Sequence, residues 1–166
     1  MQTDYSIDMS AAKVGMLADS ALVQDIVSYK NPDAEVKFGC LVTHGAADGE
    51  VVHPDAAAEV TDEKLVRGVV VATHELESVE NSEDPGYAAG SVVPVLRKGR
   101  IWVESEDAVT QSTSGVYARV LASSPLVQLG AFRASSMTSY AAAVPKAKWR
   151  SSTTGAAQLA VLEIDL

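Results

Sequence analysis

The sequence predicts a mainly β fold: a compact β-barrel or β-sandwich-like domain with an N-terminal extended arm and little helix. Three observations carry this. Short apolar runs recur between clusters of Gly, Pro, Asn, Asp and Ser. The C-terminus ends in strict alternation, with Leu162, Ile164 and Leu166 on one side and Glu163 and Asp165 on the other. No run of helical periodicity joins the strands, as a doubly wound sheet would require.

Along the chain, the first thirty-odd residues look least like a core. Val14, Met16, Leu17, Leu22, Val23, Ile26 and Val27 fit a helix only in part. Gly15 weakens its start, and Val14, Val23, Ile26 and Val27 are β-branched. Residues 1–33 therefore read as an extended arm, with one short helix capped by Asp19-Ser20 near Ala21. Asn31-Pro32-Asp33 closes it. Residues 34–166 read as the β-rich domain.

In that domain, Glu35 to Thr43 begins in alternation, placing Val36, Phe38, Cys40 and Val42 on one face; Gly39 marks a bulge or a close approach. His44 to Gly49 is a turn cluster, and Glu50 to His53 a short strand stopped by Pro54-Asp55. Leu65 to Ala72 is apolar enough to be buried on both faces. Glu75 to Asp84 is acidic and poor in apolar residues, so it reads as an exposed loop. Tyr87 introduces a strand in which Pro94 implies an edge or an irregularity. Arg97-Lys98-Gly99-Arg100 resembles a hairpin connection before the strand Ile101 to Glu104. Val116 to Val120 follows a Ser/Thr-rich connection, and Leu126 to Phe132 holds a further strand. The alternating C-terminal strand should be tied into the body.

Composition narrows function. The 166 residues carry 13 basic and 22 acidic groups, a formal charge of -9. Phosphate attraction needs positive charge, so nucleic-acid binding is not expected. Residues 1–90 hold a net -12 and residues 91–166 a net +3, a polarity suited to orienting copies or a partner. A single cysteine forms no intrachain disulfide. No stretch of about 20 apolar residues is present to span a bilayer. MQTDYSIDMS lacks the basic-then-apolar order of a signal peptide.

Candidate chemistry is sparse. Cys40, His44, His53 and His74 are donors without a paired-ligand motif, and tetrahedral zinc needs about four converging donors. No GxSxG elbow is present, and Cys40 with His44 is a pair in sequence only. Glu75, Glu77, Glu80, Glu83 and Asp84 lack the apolar neighbours that would raise a carboxyl pKa. Gly86 to Gly90 lacks the third glycine of a dinucleotide loop. No enzyme, cofactor or metal is expected. Arg97, Lys98 and Arg100 form a solvated turn or meet an acidic protein surface, while Trp102 is a packing residue or an interface anchor.

Four segments together resemble the structural cement (capsid decoration) proteins of tailed bacteriophages. They are AKVGMLADSALVQDIVSYKNPDAEVKFGCLV at 12–42, LVRGVVVATHE at 65–75, YAAGSVVPVLRKGRIWVE at 87–104 and WRSSTTGAAQLAVLEIDL at 149–166. The most specific is the Tyr-Ala-Ala-Gly segment running into "VLRKGRIWV". Gly15, Ala18 and Asp19 match the family's G-x-x-A-D step, and Phe38, Gly39 and Val42 its fG-x-x-V strand. Ser91 departs from the Asp that relatives place there.

The resemblance implies a largely β, non-enzymatic protein on the outer surface of the capsid in the virion. It implies binding to the major capsid protein lattice as a homo-oligomer, trimer or dimer, and bridging of capsomers. Residues 34–166 then become the capsid-binding domain. The residues expected to touch capsid or neighbouring subunits are Met9, Met16, Leu17, Leu22, Ile26, Arg97, Lys98, Arg100 and Trp102. Alternative readings are another β-rich virion component, head-completion or tail-associated, and a small carbohydrate-binding domain whose groove would be lined by exposed Tyr87 and Trp102.

Overall fold

The structure is a computed structural model and describes residues 12–19, 24–32, 34–73, 86–121 and 128–166. Met9, Leu22, His74, the short helix expected near Ala21, the acidic loop 75–84 and Leu126-Val127 lie outside these residues.

The chain is mainly β. Its elements are β1 (Asp25–Lys30), β2 (Val36–Lys37), β3 (Leu41–His44), β4 (Val51–Val52), α1 (Ala57–Thr61), β5 (Val66–Val70), β6 (Gly86–Tyr87) and β7 (Val92–Ser105). After these come β8 (Tyr117–Arg119), β9 (Phe132–Arg133), β10 (Ala141–Ala143), β11 (Ala147–Trp149) and β12 (Gln158–Asp165). Among the described residues, ten strands form one sheet and β2 pairs with β6 in a second. The five-residue α1 has no counterpart in the sequence pattern; it follows the Pro54-Asp55 stop and buries Val60.

The 14-residue β7 is the spine. On one edge its first half pairs with β1 and its second half with β12, both antiparallel. On the other edge, β5 pairs at Val69–Leu96 and Val70–Val95. Beyond β5 the N-terminal segment takes over that edge. Leu17 bridges Ile101, Gly15 N–H donates to the Trp102 carbonyl at 2.8 Å, and Ala18 N–H donates to the Arg100 carbonyl at 2.9 Å. Within the stretch expected to act as an arm, then, residues 25–30 are a strand and residues 15–18 a bridged turn, both laid along β7.

Residues 97–100 are not a hairpin connection. β7 runs straight through them. Asp25 pairs with Lys98 and Ile26 with Leu96, so Arg97 is the extra residue of a β-bulge, and Gly99 follows with φ of 136°. The bulge shifts the side-chain parity. Val93 and Val95 face a smaller apolar cluster with Val36, Phe38, Val42, Val51, Val70 and Tyr87. Leu96, Ile101 and Val103 face the larger one, built around Leu41, Val69, Phe132, Trp149, Leu162 and Ile164.

Pro94 sits between two strands, and the irregularity it implied takes a definite form. Val71 N–H donates to the Pro94 carbonyl at 3.0 Å. The reciprocal bond of such an antiparallel pair needs an N–H that proline lacks. The buried Tyr87 hydroxyl fills the gap, donating to the Val71 carbonyl at 2.8 Å. Its ring meets Phe38 edge-on at 5.1 Å. Gly39 ends the alternation begun at Val36: its φ is 67°, and a Cβ there would fall 2.4 Å from Val14 Cγ1. It is a turn and a close approach at once.

His53 is half-buried between β2 and Gln128. Its Nε2 accepts from the Lys37 N–H at 3.4 Å and lies 3.2 Å from Gln128 Nε2. Burial, above all, pushes its pKa below the usual 6.5. The unfolded chain therefore binds a proton more readily than the folded one. Stability contributed by neutral His53 is complete above pH 6.5 and is lost as pH falls from there through the lower folded-state value. Urea titrations at pH 7.5 and 5.5 should show a fall in midpoint that His53→Gln flattens. An equal fall in the variant would assign the dependence elsewhere.

Candidate functional site

Three neighbouring strands, the second half of β7, β12 and β11, and the 15–18 segment bridged to β7 at Leu17 build one outward face. Alternation fixes what each side carries. Ile101, Val103, Ala160, Leu162, Ile164 and Trp149 point into the larger cluster, and Leu17 packs against it. Their neighbours point out.

Register aligns the outward residues into rows. Trp102 lies opposite Val161, Arg100 opposite Glu163, and Glu104 opposite Leu159. Lys148 lies opposite Glu163 on β11. Trp102 N–H donates to the Met16 carbonyl at 2.8 Å, and Arg150 N–H to the Val161 carbonyl at 2.7 Å. The result is an apolar row Met16–Trp102–Val161 with Arg150 at its end. Met16 is 45% exposed; Trp102 and Val161 are half-buried.

A charged row runs beside it. Glu163 receives Arg100 Nε at 2.8 Å and Arg150 NH2 at 2.6 Å. Arg100 NH1 also stands 3.7 Å from Asp19. The hydrogen bonds from Arg150, then those from Arg100, lower the Glu163 pKa from 4.5 to about 2. Glu163 is thus ionised through the neutral range, and its support for the face fades only as pH falls from 4.5 toward 2.

Of the residues singled out from sequence, Met16, Arg100 and Trp102 meet on this face. Leu17 is turned inward. Lys98 and Arg97 sit at the bulge, next to Asp165 at 2.8 Å and Asp25 at 3.9 Å. The basic cluster is therefore paired with carboxylates of its own chain. Ile26, 41% exposed, lies on β1 at the opposite edge of β7 from Met16. Sequence reasoning missed Val161, Leu159 and Arg150. The signal for Val161 was present: it is an apolar residue on the polar side of an alternating strand.

Among the described residues, no three His, Cys, Asp or Glu side chains are grouped to hold a metal ion. A hollow of about 540 Å³ lies beside β11, lined by Gln111, Ser114, Lys148, Arg150 and Ser152. Trp149 forms its floor, with its indole N–H donating to the Gly115 carbonyl at 2.7 Å. Tyr87, expected to be exposed in a carbohydrate groove, is instead buried beside Phe38. Its hydroxyl is used by Val71.

Comparison with known proteins agrees with this picture. No curated protein sequence matches the chain. A chain in the capsid of Myoviridae Phage XM1 shares the fold, with a TM-score of 0.69 at 18% identity, over 99% of this chain and 97% of that one. The family model for "Structural cement protein (E217 gp24/Pam3 gp6)" matches residues 1–165. The match runs over nearly the whole sequence, and the chain belongs to the phage structural cement proteins, capsid-associated structural proteins of the virion.

Proposed function

We propose that the protein binds the outer surface of the major capsid protein lattice as a homo-oligomer and bridges adjacent capsomers. The observation that carries this reading is the Met16–Trp102–Val161 row, an apolar strip on a sheet face framed by fixed charges. Large apolar and aromatic side chains of this kind anchor protein interfaces. Residues 1–33 take part because Met16 completes the strip, while 34–166 supply the platform beneath it.

The physical benefit is additive. DNA packed in a head presses outward on the shell, and a clamp across capsomers raises the work of separating them. Repetition over many copies multiplies a modest pairwise term.

Met16→Glu tests the reading, since Met16 is exposed and its loss should leave the core intact. Burying such a side chain against a partner is worth about 1.5–3 kcal/mol. The variant should keep its melting temperature and bind purified shells roughly 10- to 100-fold more weakly. Wild-type occupancy on shells, in a correctly folded variant, would refute the assignment of this face.

A further inference from the structure

We infer that two copies of this chain pair through the open edge of β1, antiparallel and about a twofold axis at Val27. This deepens the homo-oligomer part of the proposed function and is independent of which face meets the shell.

Among the described residues, β1 pairs with β7 along one side and is bonded on the other only at Lys30. In its register with β7, residues 27, 29 and 31 turn their N–H and C=O toward β7; Asn31 N–H to the Ser91 carbonyl at 3.0 Å fixes that parity. Residues 26, 28 and 30 therefore present theirs to the other side. Lys30 is already used, its N–H donating to the Gly49 carbonyl at 2.8 Å. Among the described residues, what stays open on that side is the backbone of Ile26 and Ser28.

That opening is centred on Val27, and a second copy of the same strand fits it. A second β1 running antiparallel sets Ile26 against Ser28 of the other copy and Ser28 against its Ile26. Each pair exchanges two N–H···O bonds, so all four open donors and acceptors on each edge find partners. Asp25 falls opposite Tyr29 and no like charges face each other. The flank fits as well. The Gly49 loop covers the edge from Lys30 onward, and the paired stretch of the incoming copy begins at its own Asp25, opposite Tyr29. On the even-numbered face, Ile26 at 41% and Val92 at 64% exposure flank Pro94 as an apolar patch. The two copies of Ile26 come diagonally together beside it, within reach of each other.

The test is the mass of the full chain in solution by light scattering. Ser28→Pro removes an outward N–H and leaves the bonds to β7 untouched, since those use odd-numbered residues. The wild type should be a dimer, and Ser28→Pro a monomer with an unchanged melt. Val27→Cys gives the positive readout. The facing residue 27 positions form a non-hydrogen-bonded pair, with Cα atoms about 4.5 Å apart, within disulfide range. Mild oxidation should yield a covalent dimer, while the wild type, with only the buried Cys40, should not. A monomeric or trimeric wild type, a dimer that survives Ser28→Pro, or a Val27→Cys chain that fails to cross-link would overturn the pairing. Met16→Glu reads the shell contact separately: weaker shell binding with dimer mass retained keeps both ideas, and unaltered shell binding rejects only the docking face.

Discussion

Gly68→Ala is expected to destabilise the protein far more than one added methyl group ordinarily does. Gly68 lies in β5 with φ of 135°, and a Cβ there would sit 2.1 Å from the Leu96 carbonyl oxygen and 2.8 Å from its carbon. Both are backbone atoms of β7, so no side chain can swing aside. The strained φ and the forced separation of β5 from β7 together cost about 3–5 kcal/mol. At this chain length that lowers the melting temperature by roughly 10 °C. Gly90→Ala is the control. Its φ is 81°, yet nothing lies within 4 Å of the added methyl. It should cost only the left-handed backbone term, about 1–2 kcal/mol. Equal losses in the two variants would show that the approach of β5 to β7 is not tight.

Glu106→Ala should be comparably damaging for an electrostatic reason. Arg119 on β8 is buried, its side chain 7% exposed, and it forks onto Glu106 with Nε at 2.7 Å and NH2 at 2.6 Å. Arg133 on β9 joins Glu106 at 3.2 Å and Asp107 at 3.1 Å. Burial works against the Asp107 carboxylate. The Ala134 amide, Ser135 and Arg133 outweigh it and hold its pKa below the ordinary value. The network fastens the end of β7 to β8 and β9, strands of only three and two residues. Truncating Glu106 strands a buried guanidinium, at a cost of about 3–5 kcal/mol. Glu106→Ala combined with Arg119→Met removes the orphan charge and should recover a large part of that loss in chemical denaturation. A double variant no better than the single would mean that Glu106 acts by packing rather than by charge.

Where a strand buries one face or both, its pattern is readable in the sequence. The alternation ending at Leu166 corresponds to β12, and the apolar run 65–72 to β5. The reading fails where local chemistry imitates another structure. Three cations around a glycine look like a turn, yet Val93 and Val95 before them and Ile101 and Val103 after them keep one strand going, with the parity step of a bulge. β1 looks unstructured in sequence because its side chains are exposed or half-buried on both sides, leaving no periodic signature. α1 is too short to show one. For the candidate site, Met16, Arg100 and Trp102 could be named from residue type. Val161 and Arg150 could not be placed beside them, because their proximity arises from pairing between segments some sixty residues apart.

The shared spine also governs how the molecule fails. β7 lends residues to both apolar clusters and serves as the pairing partner of β1, β5, β12 and the 15–18 segment. Withdrawing β7 dismantles both clusters at once. Loss of that strand is therefore expected to unfold the two together, and denaturation curves read by tryptophan fluorescence and by far-UV circular dichroism should coincide. In the clamping role proposed above, the same wiring would make each copy hold through one strand or lose its grip when that strand is pulled free.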